Sequence, residues 1–227
     1  AAAHARPGVR YAGGRNVAFH TPLKVHGDGE IEVLVTATPD DDGHLRCELL
    51  SERTSRTGRR ISARHFEATL MLGEVAGLEG LPAAFFFAEE PVAADAIYQR
   101  FFHGPGFQVL KEAGAIAQQG LIADAVVSHD ALGGLAGLYT APLVLEAAFQ
   151  AAGLHRMAVD GERALPASIE EVQLLHVPDD QAALGLMVQR RGDAETGGAI
   201  YDVDVDGPQG AVLRLRGFRM VDTGPLD

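Results

Sequence analysis

The sequence predicts an α+β protein in which an antiparallel sheet wraps an apolar helix, a plan the chain follows twice. Three observations predict it. Residues 140–155 form one long segment of helical periodicity with almost no polar side. The segments around it alternate apolar and polar residues between turn signals, as half-buried strands do. The two halves also share an order: helix, Gly/Pro break, a strand ending near a proline, then three strands. In the first half that strand is Gly14-Arg-Asn-Val-Ala-Phe-His-Thr-Pro22, and in the second it is Ser168-Ile-Glu-Glu-Val-Gln-Leu-Leu-His-Val-Pro178. A repeat sets the fold before any single element does. An antiparallel sheet on a central helix, twice over, is a double hotdog.

The elements follow in chain order. Residues 1–13 are short and Ala-rich and read as the tail of a helix. Ile31–Ala37 is apolar at nearly every position and reads as a mostly buried strand. Asp40-Asp-Asp-Gly43 is a solvated turn. Leu45, Cys47 and Leu49 alternate with polar partners, Ser51–Arg60 reads as a hairpin loop, and Ile61–Leu72 as a long strand. The first third is thus an antiparallel meander. Gly73–Pro91, with Phe85-Phe-Phe87 inside it, reads as a surface linker. A short helix is expected over Pro91–Phe102, and His103-Gly-Pro-Gly106 forces a turn. Strands are expected at Gln108–Ala117 and Leu121–Val127, then a Gly-rich loop over Ala131–Gly137.

The helix over Thr140–Met157 comes next, with Thr140 as N-cap and Pro142 in the first turn. Four strands close the chain: Ser168–His176, Ala182–Arg190, Ala199–Val205 and Val212–Met220. Asp202, Asp204 and Asp206 alternate with Tyr201, Val203 and Val205, so that strand reads as half-exposed, facing Arg214 and Arg216 across a ladder. The expected division is a first, partial hotdog over 1–72, a linker over 73–97 and a second hotdog over 98–227. The second half has two strands and a full helix before its repeat strand, and the first half has thirteen residues there. The first hotdog is therefore expected to lack its N-terminal strand and most of its helix.

Composition narrows function. The chain has 227 residues, 47% hydrophobic and 22% charged, enough for one large or two small cores. A net charge of −12 argues against a nucleic-acid backbone or an anionic membrane as partner. The lone Cys47 makes no internal disulfide, no run is long enough to span a bilayer, and no signal peptide opens the chain. A cytoplasmic protein is expected. No Cys/His cluster has metal-ligand spacing, so no metal is expected.

Glu146 is the first candidate for chemistry. It lies four residues from Gln150, on one side of an otherwise apolar helix. A buried carboxylate is costly unless hydrogen-bonded, neutral or used. The alternative is a first-turn Glu that reaches water, favoured by the helix dipole. Spacing alone leaves both open. No Gly-x-Ser-x-Gly and no Gly-x-Gly-x-x-Gly after a strand supports hydrolase or nucleotide chemistry.

Three stretches, in order, resemble dehydratase domains of type I polyketide synthases. Tyr98-Gln-Arg-Phe-Phe-His-Gly-Pro-Gly-Phe-Gln-Val-Leu110 resembles the motif that opens the second hotdog, in which Tyr or His precedes Gly-Pro-x-Phe-Gln. Leu145-Glu-Ala-Ala-Phe-Gln150 resembles the Leu-Asp-x-x-x-Gln/His element. Asn16-Val-Ala-Phe-His-Thr-Pro-Leu23 looks like the strand after the first helix. The wording Ala-Pro-x-x-x-Glu146 and Phe149-Gln-x-Ala-Gly153 is most similar to dehydratase-like domains of polyunsaturated fatty acid synthase-type multienzymes.

The resemblance implies elimination of water from a β-hydroxyacyl thioester held on the phosphopantetheine of an acyl carrier protein, without metal or organic cofactor. A first-hotdog His removes the α proton, and an acid on the second helix protonates the leaving hydroxyl. Carried onto this chain, Glu146 is the acid, Gln150 orients it, and His103 lines the tunnel nearby. Tyr98, Gly104, Pro105, Phe107 and Phe149 then bind substrate. Partners would be the carrier protein, for which Arg53, Arg56, Arg59 and Arg60 are the nearest basic cluster, and neighbouring synthase domains, with a homodimer left open. Two departures stand out. The family acid is Asp and here it is Glu146. The family base lies in His-x-x-x-Gly-x-x-x-x-Pro; His4 and Gly8 fit, but Gly13 stands where the proline should, so the base is expected from outside this sequence. The alternatives are a non-catalytic relative that holds an acyl chain or braces the synthase, and a product-template-like cyclase.

Overall fold

The computed structural model describes residues 11–24, 30–54, 58–74, 76–82, 91–128, 140–195 and 197–226. His4, the Phe85–Phe87 cluster and the Gly-rich loop 131–137 lie outside them. The first half contributes β1 (Tyr11–Phe19), β2 (Val33–Pro39), β3 (Leu45–Thr54) and β4 (Arg60–Leu72). The second opens with β5 (Val92–Ala93), α1 (Ala94–Tyr98), a 3-10 turn at Pro105–Phe107, β6 (Leu110–Ala117) and β7 (Gly120–Val126). Then come α2 (Pro142–Asp160), β8 (Glu162–Leu174), β9 (Ala183–Asp193), β10 (Ala199–Gly207) and β11 (Gly210–Pro225). All strands join one antiparallel sheet in the order β2-β3-β4-β1-β8-β11-β10-β9-β7-β6-β5.

That order is the predicted repeat laid out in space. Each repeat strand, β1 or β8, pairs with the last of its three followers, and then with its counterpart. β1 and β8 meet at the seam between the halves, with Gly14 opposite Val172 and Val17 opposite Ile169. The backbones are tight there: a Cβ on Gly13 would fall 2.2 Å from the Val172 carbonyl oxygen. The double hotdog thus has one continuous sheet, and among the described residues its long helix belongs to the second half. Residues 11–13, read as a helix tail, are β1, because Tyr11 and Gly13 pair with Leu72 and Met71.

Helix α2 forms because its sequence can be buried all round. Val144, Ala147, Ala148, Ala151 and Ala152 are fully buried against Leu121, Leu186, Tyr201, Val203, Leu215 and Phe218 of the sheet. It begins one residue later than expected. Ala141, not Thr140, is the N-cap, without a side-chain cap, and Pro142 fills the first turn. It ends where Gly161 adopts φ +70° and returns its N–H to the Met157 carbonyl, 3.2 Å away. Deeper in, His155 is wholly buried, 3.1 Å from the Tyr201 hydroxyl and 2.8 Å from the Ala117 carbonyl.

Exposure departs from the expected pattern in two strands. Residues 33–35 of β2 are 41–54% exposed rather than buried, because β2 is the sheet's edge and its apolar residues face outward on both sides. Asp202 and Asp204, read as half-exposed, are buried. Asp202 accepts the Gly217 N–H at 2.8 Å and faces Arg191, whereas Asp204 is met by the segment 76–81, which is tied down by side chains. The Leu78 N–H donates to Gln173 (2.8 Å), the Leu81 N–H donates to Asp204 (2.7 Å), and Arg214 and Arg216 donate to the carbonyls of Leu78 and Glu79. The expected acid–base ladder lies beneath this strap, with Arg216 2.7 Å from Asp204.

Candidate active site

Helix α2 sets the site. Glu146, Phe149, Gln150, Gly153 and Met157 recur at helical spacing and line one wall of a cavity of about 590 Å³. The turn after α1 supplies the facing wall, with Arg100, Phe101, Phe102, His103, Gly104 and Phe107. The start of β8 and the end of β11 close it with Arg163, Leu165, Pro166, Met220 and Thr223. Pairing of Met220 with Pro166 brings these last two strands together.

Within the cavity the polar groups converge on Glu146. Gln150 donates from Nε2 to Glu146 Oε1 at 2.7 Å and to the Phe107 carbonyl at 2.7 Å. The Phe107 carbonyl can only accept, which fixes the amide: its oxygen faces the other way, toward the Tyr98 hydroxyl at 2.7 Å. That hydroxyl accepts the Leu110 N–H at 2.7 Å, so its own proton goes to Gln150. Burial, less the bond from Leu110, pushes the Tyr98 hydroxyl up to about 12, and the charge of Glu146 adds to the rise. The phenol therefore stays a donor at neutral pH. His103 Nε2 lies 2.9 Å from the same Glu146 Oε1. The ring is held by Phe101 and Phe102, with centroids 5.2 and 4.6 Å away. Its Nδ1 is buried and finds no hydrogen-bond partner among the described residues.

The structure brings Glu146, Gln150, His103, Gly104, Phe107 and Phe149 together around this space. Two predicted residues stand behind the wall. Tyr98 reaches Gln150 from outside the cavity, and Pro105 starts the 3-10 turn without lining it. The wall residues Arg163, Leu165, Met220 and Thr223 carry no local sequence signal, because the pairing of β8 with β11 assembles them. Gly13 lies inside β1, so the family position for proline falls on a strand here. In the predicted basic cluster, Arg60 pairs with Glu52 at 2.5 Å, while Arg56 and the Arg53 side chain are outside the described set. Among the described residues no cluster of ligating side chains could hold a metal ion, and no helix is long and apolar enough to cross a membrane.

The family profile described as polyketide synthase dehydratase N-terminal domain matches residues 88–225, more than half of the chain and all of the site. The chain belongs to the polyketide synthase dehydratase family. It is a dehydratase-like domain of a polyketide synthase, with that family's hotdog fold. A trans-AT polyketide synthase dehydratase domain from Brevibacillus brevis is 21% identical over 96% of this chain and 77% of that one, with a TM-score of 0.72. The dehydratase domain from the CurF module of curacin polyketide synthase is 14% identical over 98% and 80%, with a TM-score of 0.76. The dehydratase domain of RzxB from Pseudomonas fluorescens is 18% identical over 92% and 75%, with a TM-score of 0.69. At these identities the likeness to the polyketide synthase dehydratases is one of fold. No curated protein sequence matches the chain.

Proposed function

We propose that the cavity takes the acyl thioester of an acyl carrier protein and that Glu146 is the acid of a water elimination. The observation that carries this reading is the anchoring of Glu146 on the wall of a largely apolar cavity. Gln150 and His103 both contact its Oε1, which leaves Oε2 to carry the transferable proton. In the step, the Cα–H bond breaks toward a base and its electrons form the double bond. The Cβ–O bond then breaks as the hydroxyl takes the proton from Oε2, and water leaves. Gln150 and His103 stabilise the carboxylate that remains. No metal or organic cofactor enters this step. The base comes from outside the described residues: His103 is the one histidine on the described cavity wall, and its Nε2 is engaged with Glu146. Neighbouring synthase domains and a second copy of the chain are the partners we propose, and the polyunsaturated fatty acid type of synthase is the setting the helix wording favours.

One observation favours a second reading, in which the domain holds an acyl chain without chemistry. It is the 2.9 Å contact between His103 Nε2 and Glu146 Oε1, which would equally serve to fasten the turn after α1 to α2 with no proton transferred. One experiment separates the two. The domain is incubated with a β-hydroxyacyl-pantetheine, alone and joined to the synthase segment that precedes it, while enoyl absorbance is followed. The chain alone should give no measurable turnover. The longer protein should dehydrate the thioester, and Glu146→Gln should lower its rate by about a hundredfold or more. Binding without turnover in the longer protein would establish the holding role. Robust turnover by the chain alone, lost in His4→Ala, would place the base on His4 and overturn a base from outside this sequence.

A further inference from the structure

Gly153 is a residue that neither backbone nor packing demands. It sits in the middle of α2 with no positive φ. Glycine in a helix interior costs roughly 1 kcal/mol relative to alanine. Close packing does not require it: a Cβ there would meet the Met220 methyl and the Phe101 ring at 3.6 Å, ordinary van der Waals contact. What its missing side chain does leave is space, since Gly153 lines the cavity between Phe149 and Met157.

The cavity also has a direction. From Glu146 to Met157 the helix advances roughly 16 Å at about 1.5 Å per residue. His103 and Glu146, 2.9 Å apart, make one part of the lining polar, suited to a thioester. Beyond Glu146 the helix wall turns to Phe149, Gly153 and Met157, and the β8 and β11 side adds Leu165, Pro166 and Met220 together with Arg163 and Thr223. With a β-carbon at Glu146, an acyl chain that follows the helix wall runs past Phe149 to Gly153 and Met157.

We infer that the gap at Gly153 is the passage for the distal part of an apolar acyl chain, and that its width sets the longest chain the site accepts. This rests on the acyl-thioester reading above. It makes Gly153 a specificity-determining residue: a side chain there fills the passage while Glu146, four residues short of Gln150 on the helix, keeps its bonds.

The test is a calorimetric titration with 3-hydroxybutanoyl-, 3-hydroxyoctanoyl- and 3-hydroxydodecanoyl-pantetheine against wild type, Gly153→Ala and Gly153→Leu. In the wild type, affinity should rise with chain length, by up to roughly fourfold per methylene buried. In Gly153→Leu the ratio of dodecanoyl to butanoyl affinity should fall about tenfold or more. In Gly153→Ala, which the contacts above accommodate, it should fall about threefold, near the worth of one methylene. The alanine variant also keeps the test valid if the leucine variant does not fold. An unchanged ratio in the folded variants overturns the inference alone. Failure of the wild type to bind any of the three thioesters overturns the acyl-thioester reading beneath it.

Discussion

Tyr98 touches no cavity surface, yet the geometry of Glu146 depends on it. Its hydroxyl takes the N–H of the fully buried Leu110 and gives its proton to Gln150, and so fixes which face of the Gln150 amide meets Glu146. Tyr98→Phe should lower stability by about 1–3 kcal/mol, because it strands a buried N–H and a buried carbonyl oxygen. Urea unfolding measures this, and a change of only a few tenths would show that the Leu110 N–H finds another acceptor. At this scale the sequence was legible wherever the contact is local. Glu146 and Gln150 are neighbours because four residues make about one helical turn. His103 is different: it is forty-three residues from Glu146, and only the resemblance, not spacing, placed it nearby. Tyr98 came from the same motif, but its position behind Gln150 depends on how α1 docks on β6, which no local pattern encodes.

Helix α2 is held at its two ends by different chemistry, and this gives it a pH dependence. The first turns carry the site. Toward the end, His155 is sealed between Tyr201 and Ala117, and Arg156 pairs with Asp222 and Asp160, each at 2.7 Å. Burial pushes the His155 pKa below its usual 6.5, against the opposing bond to Ala117. The fold therefore prefers the neutral ring. That contribution is fully present above the unfolded pKa near 6.5 and is lost as pH falls through that value toward the lower folded one. The denaturation midpoint of wild type should fall between pH 7 and pH 5 more steeply than that of His155→Gln, which can make both bonds without titrating. Parallel slopes would remove His155 from the account. The Thr140–Met157 reading of this helix succeeded because burial all round leaves a strong apolar signature. β2 misled for a related reason: continuous apolar residues mark a strand buried on both faces, and they equally describe an edge strand apolar on both faces. Pattern does not tell the two apart, since the difference lies in what packs alongside.

Across the whole molecule, the repeat was readable and the strap was not. Strand order follows from the shared plan of the halves, so β1 and β8 meeting at the seam is what two copies of one unit give. The segment 76–81 had no such logic in sequence, and it meets Asp204, which the alternation read as half-exposed. Its anchors reach far along the chain: Leu78 to Gln173 spans 95 residues and Leu81 to Asp204 spans 123. Bonds of that span form only after β8, β10 and β11 are in place, for until then closing so large a loop brings no compensating contact. The strap is thus a late event in folding and an early one in unfolding. Gln173→Ala should speed unfolding several-fold in stopped-flow measurements and leave the refolding rate nearly unchanged. Equal effects on both limbs of the chevron would place the strap in the folding nucleus. If the limbs divide as expected, the lifetime of the folded domain is governed by six residues that lie away from the cavity and reach the seam only through Gln173.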